Sequence, residues 1–368
     1  MTARRRAVLA ALAAASFAVT AALLEQAAPY PEMGSLDDKL RFFAARRDDY
    51  DVLLFGSSRV LRGVVPEVLD AEMARRGIPV RSFNFGVDGM GSHEASALVR
   101  RVLALGPRRL RWVVVELDGW SAALPPENRF KRRVVFWHDR AETLSALETV
   151  ARTEPSRGRR LELSIAHLLH LAARSAAAGR GRDLAWRLRE RFVPEGRAAA
   201  GGSVAAELAR SGGFEPFSPA AYGTPTTHPF RRRFLELLPA YRLAVARLPA
   251  ANRVQTGLGA YNVPALARQV AAIRRAGAEP VHLITPTARP TPELHRLAEA
   301  GAVACLLAFN DPVAYPDLFA EDHRFDAEHL TTEGARRFTR LLAERLAGAL
   351  LGPEGKGPQV ASVGLEGR

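Results

Sequence analysis

Residues 51–59 read Asp-Val-Leu-Leu-Phe-Gly-Ser-Ser-Arg. The unbroken apolar run Val52–Phe55 predicts a strand buried on both faces, as in a parallel sheet covered by helices. Gly56-Ser57-Ser58 then ends it in a polar turn. In open α/β sheets the carboxyl ends of strands are where sites form. Far along the chain, residues 326–330 read Asp-Ala-Glu-His-Leu, just ahead of a helical pattern. The two segments together hold a hydroxyl, an imidazole and a carboxylate, the groups of a serine nucleophile with its base and orienting acid. Three-residue spacing lets one loop or helical turn present Asp326 and His329 on the same side.

Outward from Val52 the strand–helix alternation continues. Pro66 opens a helix with Val68, Leu69 and Met73 on one side and Gly77 as its stop. Val80–Phe85 reads as a second strand, Ser92 caps a helix to about Leu105, and Leu110–Leu117 is a third strand. After residue 260 the pattern resumes. Pro264 opens a helix bearing Leu266, Val270 and Ile273, closed by Gly277; Val281–Ile284 is a strand; a helix runs from about Thr291 to Ala300. Ala302–Phe309 is a fifth strand, and Thr331/Thr332 cap a last helix with Phe338, Leu342 and Leu346 aligned. This is an α/β chain, and the expected architecture is a three-layer α/β/α sandwich around a mainly parallel five-stranded sheet.

The main domain is read as 51–351, interrupted at about 121–258 by an arginine-rich, largely helical insertion with loop material near Gly179–Gly181, Gly201–Gly202 and Ser211–Pro229. Residues 25–50, broken by Pro29, Pro31 and Gly34, read as a juxtamembrane linker with a short helix. The Gly- and Pro-rich tail 352–368 reads as disordered.

At the N-terminus Arg4-Arg5-Arg6 precedes Ala7–Leu24, eighteen uncharged residues. That is a basic flank and an apolar segment at the lower length limit for a membrane span. Residues 1–24 are therefore read as a membrane anchor, with a cleaved signal segment as the rival. Either reading places the remaining domain outside the cytoplasm, periplasmic or extracytoplasmic, by the positive-inside bias. The formal charge is +13, and all but three of the 52 basic residues are arginine. Such an arginine- and alanine-rich composition most often reflects a GC-rich genome; attraction to an anionic membrane surface or an acidic glycan is the functional alternative. Nucleic-acid binding is not expected, for lack of a basic stripe with interleaved aromatics. The single cysteine, Cys305, sits in an apolar run and reads as a buried structural thiol. Asp322, His323, Asp326 and His329 can be drawn as metal ligands, but that leaves the Gly-Ser-Ser turn unexplained, so neither metal nor cofactor is expected.

On these residues the chain resembles the SGNH (GDSL-type) hydrolases, in particular the membrane-anchored branch with the alginate O-acetylation proteins and the D-alanine transfer protein of teichoic acid synthesis. The resemblance covers roughly 51–120 and 260–346. It implies that Ser58, at the end of Gly56-Ser57-Ser58 where the family carries Gly-Asp-Ser, is the nucleophile. It implies that His329 is its base and Asp326 the residue that orients the imidazole. The glycine-rich turn Asn84-Phe-Gly86-Val-Asp88-Gly89 matches the second family block, so Gly89, with Gly86 as alternative, would give a backbone N–H to the oxyanion beside that of Ser58. The third block departs: the family places Gly-x-Asn-Asp after strand three, whereas this chain reads Glu116-Leu-Asp118-Gly119 with no asparagine. The function so implied is an esterase or O-acyltransferase working through an acyl-serine on acyl, chiefly acetyl, esters of a cell-envelope glycan, beside a multi-pass membrane O-acyltransferase as partner. A catalytically degenerate scaffold or glycan-binding subunit is the alternative. Arg59 and Arg62 read as solvated or sheet-capping, His93 as a first-turn residue, His323 as subordinate to His329, and His167 and His170 as packing residues.

Overall fold

A computed structural model describes residues 2–27, 31–124, 131–185, 197–222, 228–254, 257, 261–303 and 305–351. Five strands, β1 Val52–Phe55, β2 Ser82–Asn84, β3 Trp112–Glu116, β4 Glu279–Ile284 and β5 Leu306–Ala308, form one parallel sheet. Their order is β2-β1-β3-β4-β5. All five fall on the stretches read as strands, with shifted ends. The mixed α/β architecture with an all-parallel sheet is the expected one.

Period-two alternation decides which side chain enters which layer. Val52, Leu54, Val114 and Leu283 enter the core on one face, under the helices Pro66–Arg75 and Thr332–Leu351. Leu53, Phe55, Val113 and Val115 enter the core on the other, against the helix Ser92–Leu103. Each such side chain, fully buried, is worth about 1.5–3 kcal/mol in removal from water. The chain leaves β1 for β2 on one side and returns to β3 on the other. That order makes the carboxyl end of β1 a topological switch point, where a crevice opens. Ser58 follows β1 there, as the first residue of a single helical turn, Ser58–Leu61. Thr331 caps the last helix, its Oγ1 accepting from the Gly334 amide at 3.1 Å.

Three expectations need correction. The segment read as a linker is partly core: the helix Ser35–Ala44 buries Leu36, Leu40 and Phe43, spaced i, i+4, i+7, and Phe43 meets Phe85 edge-on at 5.2 Å. Gly201 and Gly202 lie inside a helix, Arg197–Ser211. Neighbouring alanines offset the roughly 1 kcal/mol that each glycine costs there. Cys305 is half-buried at the edge of the sheet rather than fully buried. The rest of the insertion is mostly helical where it is described, with turn or coil at 176–179 and 212–218, and the tail 352–368 lies outside the described residues.

The helix Ala3–Ala27 has 25 residues and a mean hydropathy of 2.3 over its most apolar window, and only Ala21 along it is buried. At 1.5 Å per residue it measures about 38 Å, enough to cross a hydrocarbon core of about 30 Å. It is long and apolar enough to anchor in a membrane.

Candidate active site

The structure brings Ser58, Asp326 and His329 together from opposite ends of the domain. His329 Nε2 lies 2.8 Å from Ser58 Oγ, and His329 Nδ1 lies 2.9 Å from Asp326 Oδ2 and 3.0 Å from Oδ1. One imidazole thus bridges hydroxyl and carboxylate. A proton on Nδ1 directed at Asp326 leaves the Nε2 lone pair facing the serine, the arrangement for removing its proton. Asp326 Oδ1 also accepts the backbone amides of Glu328 at 2.7 Å and His329 at 2.8 Å. Burial works to raise the Asp326 carboxyl. The His329 hydrogen bond and charge and the two amides outweigh it and hold the group below its ordinary range.

The loop carrying the pair is held from beneath by Arg324, which is fully buried. Its guanidinium donates to the carbonyls of Pro286 at 2.9 Å and Asp326 at 3.2 Å, and to that of Ala327. Arg231, from the helical insertion, donates to the carbonyl oxygens of Arg324 at 2.6 Å and Phe325 at 3.1 Å. The insertion therefore braces the histidine loop.

On the serine side, Gly56 is required by close approach. A Cβ there would overlap Val60 and the Glu116 side chain. Glu116, the last residue of β3, accepts the Ser57 amide at 2.6 Å, Arg59 Nε at 2.7 Å and Thr285 Oγ1 at 3.1 Å. Arg59 is further bound by Asp118 at 2.9 Å and Glu328 at 3.4 Å. Burial opposes its charge, but Glu116 and Asp118 more than compensate, and the guanidinium is bound more firmly in its charged form than in water. So Arg59 is a structural tie between the serine turn, β3 and the histidine loop. Arg62 pairs with Asp88 at 2.9 Å and lies over the Phe217 ring.

The glycine turn separates its two candidates. Gly86 donates its amide to Asn84 Oδ1 at 2.7 Å, and a Cβ on it would overlap the backbone of Leu61, so it is committed to packing. Gly89 has φ +65° and lines the same cleft as Ser58 and His329. Among the described residues the amides of Ser58 and Gly89 donate to no protein acceptor. The turn is held by Lys39, whose buried Nζ donates to the carbonyls of Gly86 at 2.9 Å and Gly213 at 2.7 Å. Burial lowers this ammonium to about 8, against the pull of Glu215. Where an asparagine would supply a third donor, Asp118 Oδ1 instead accepts the Gly119 amide at 2.9 Å.

The cleft, about 630 Å³, runs from Ser58 and His329 past Ser92 and Asp118 to Glu94 and Arg133. Arg133 Nε is 2.6 Å from Glu94 Oε1, yet the two are misaligned for a hydrogen bond. Burial pushes the Glu94 carboxyl up to about 7, against the Arg133 charge. His93, beside it, is buried, with Nδ1 2.7 Å from Glu142 and Nε2 3.0 Å from Thr149 Oγ1. His323 instead places Nδ1 2.7 Å from the Asp317 carbonyl. His167 and His170 are buried within the helix Arg157–Ser175. Sequence reasoning missed Lys39, Glu94, Glu116, Arg133 and Arg324. For Lys39 one signal existed, a lone lysine within an otherwise apolar helical face. Among the described residues no cluster of metal-ligating side chains occurs. Comparison of the chain with protein-family models, with curated proteins and with solved structures finds no match.

Proposed function

We propose that this chain is a membrane-tethered serine esterase or O-acyltransferase of the SGNH type, its main domain facing the periplasm or exterior. The observation that carries the reading is the unbroken contact from Asp326 through His329 to Ser58 Oγ. In the first half-reaction His329 Nε2 takes the Ser58 proton as Oγ bonds to the ester carbonyl carbon. The carbonyl oxygen becomes an oxyanion, for which the Ser58 and Gly89 amides are the assigned donors. Collapse breaks the ester C–O bond, and the leaving alkoxide takes the proton from the His329 imidazolium, leaving acyl-Ser58. In the second half His329 deprotonates water or a sugar hydroxyl, which takes the acyl group and frees the serine. Polar side chains set in a mixed cleft lining, Ser92, Asp118 and Glu94, support a hydroxyl-rich acceptor such as an envelope glycan. A polytopic membrane O-acyltransferase is the partner this reading names.

A second reading is favoured by one observation: the end of β3 is spent on binding Arg59 and supplies no side-chain oxyanion donor. On that reading the domain is a non-catalytic scaffold or glycan-binding subunit. Release of p-nitrophenol from its acetate by the full-length protein, wild type against Ser58→Ala and His329→Ala, separates the two. Turnover lost in both variants, with acyl-Ser58 trapped in the wild type, supports the enzyme. Equal rates in all three proteins, with the same phenotype in cells carrying Ser58→Ala, would support the scaffold.

A further inference from the structure

The helix Arg157–Ser175 turns an apolar stripe to solvent. Leu161, Ile165, Leu168 and Leu169, spaced i, i+4, i+7, i+8, are 63%, 48%, 50% and 63% exposed. The opposite face buries Leu163, His167 and His170 in the domain. A soluble surface helix places such a stripe inward, so this one is built to be covered by something else. Two observations identify the cover. First, the last turn of this helix is tied to the end of the membrane-length helix Ala3–Ala27: Arg174 pairs with Glu25 at 2.8 Å, and Arg180, just beyond, with the same carboxylate at 3.5 Å. Glu25 is the first charge after the apolar run, so in an anchored chain it marks the bilayer surface. Second, the start of the helix carries Arg157, Arg159 and Arg160 against a single carboxylate of the helix, Glu162. That is the charge complement of an anionic lipid surface.

We propose that the helix Arg157–Ser175 lies in the membrane interface, its Leu161–Ile165–Leu168–Leu169 stripe bedded among the acyl chains and the arginines of its first turn at the phosphates. The domain is then held against the bilayer at two points, the spanning helix and this one. A single spanning helix leaves a domain free to swing. The second contact fixes which face of the domain meets the membrane, independently of what Ser58 does.

The test uses the full chain in nanodiscs containing anionic phospholipid, with Cys305→Ser and a nitroxide attached at Ile165→Cys or, separately, Leu169→Cys. Both positions are exposed, and retained helicity checks that the labelled chains are folded. The expected result is that each label collides more with molecular oxygen, which concentrates in the acyl region, than with a water-soluble nickel chelate. Adding Leu161→Asp and Leu168→Asp should reverse that preference. Labels at both positions that collide mainly with the nickel chelate, in anionic and zwitterionic nanodiscs alike, would overturn the proposal and leave the stripe to a protein partner.

Discussion

Ser58 stands between two assemblies built of the same materials, a carboxylate with a nitrogen base, and they are finished differently. On one side Asp326 and His329 leave one nitrogen, Nε2, whose hydrogen-bond partner among the described residues is Ser58 Oγ alone. On the other, Glu116 takes three donors, and the Arg59 guanidinium is bound by three carboxylates. The first assembly can move a proton because a partner is exchangeable. The second holds shape, since its bonds tie the serine turn to β3 and the histidine loop and its cation does not titrate in the working range. Residue type therefore does not separate the two assemblies; what each is bonded to does. The Glu94–Arg133 pair at the far end of the cleft is an intermediate, buried like the scaffold but incompletely bonded.

The widest difference between the two sides should appear in turnover. If the first assembly is catalytic, Ser58→Ala or His329→Ala should lower ester turnover by roughly 10⁴- to 10⁶-fold while leaving the unfolding midpoint near the wild-type value. Asp326→Asn should cost less, on the order of 10³- to 10⁴-fold, because the serine and imidazole remain but the tautomer is no longer held. Steady-state kinetics on an activated acetate ester, with urea unfolding alongside, measures both. A loss of stability matching the loss of activity in His329→Ala would make that pair scaffold as well, and the comparison would fail.

Glu116→Gln reverses the expectation. The amide nitrogen it introduces faces either the Ser57 amide or, if flipped, Arg59 and Thr285, and the group is no longer charged against Arg59, so about 3 kcal/mol of stability should go, with turnover falling only as far as the serine turn shifts. Equilibrium denaturation reads the first and kcat at fixed folded fraction the second. An unchanged unfolding free energy would show that the three-carboxylate cage carries no weight.

Much of this was legible beforehand, and the reason is range. A buried parallel strand writes itself as four apolar residues in a row, Val52–Phe55, and a helix start as Pro66 or Thr331. The Asp326/His329 pair is local, three residues apart. The parallel sheet, and Ser58 at the carboxyl end of a strand, followed from alternation; the order β2-β1-β3-β4-β5 did not, because strand pairing is set by contacts distant in sequence. What was not legible depends on partners far apart in sequence. Arg59 meets Glu328 across 269 positions, and Lys39 meets Gly213 across 174. In a chain where all but three of 52 basic residues are arginine, nothing local marks Arg324 as buried or Arg133 as lining the cleft. Glu94 likewise looks like an ordinary first-turn acid of a helix. Within 25–50 the short helix was legible but its burial was not, because Pro29, Pro31 and Gly34 mask the i, i+4, i+7 spacing of Leu36, Leu40 and Phe43.

The smallest effect comes from the intermediate pair, and it has a direction that can be worked out. Glu94 has an ordinary value of 4.5 and is raised to about 7 in the fold, chiefly by burial. Between those values the folded chain binds the proton that the unfolded chain has released. Stability must therefore fall as pH rises from 4.5 to 7, and the full penalty persists above 7. Its ceiling is on the order of 3 kcal/mol, a figure in which the Arg133 charge is already counted. Glu94→Gln is always neutral, so it should flatten the profile across that window and match or exceed wild-type stability at pH 8, read as urea midpoints at each pH. If the carboxylate is instead bonded as fully as Glu116, the substitution should lower stability at pH 8 and leave the slope in place. The pair would then belong with the scaffold, and the far end of the cleft would hold a fixed wall in place of an incompletely bonded acid.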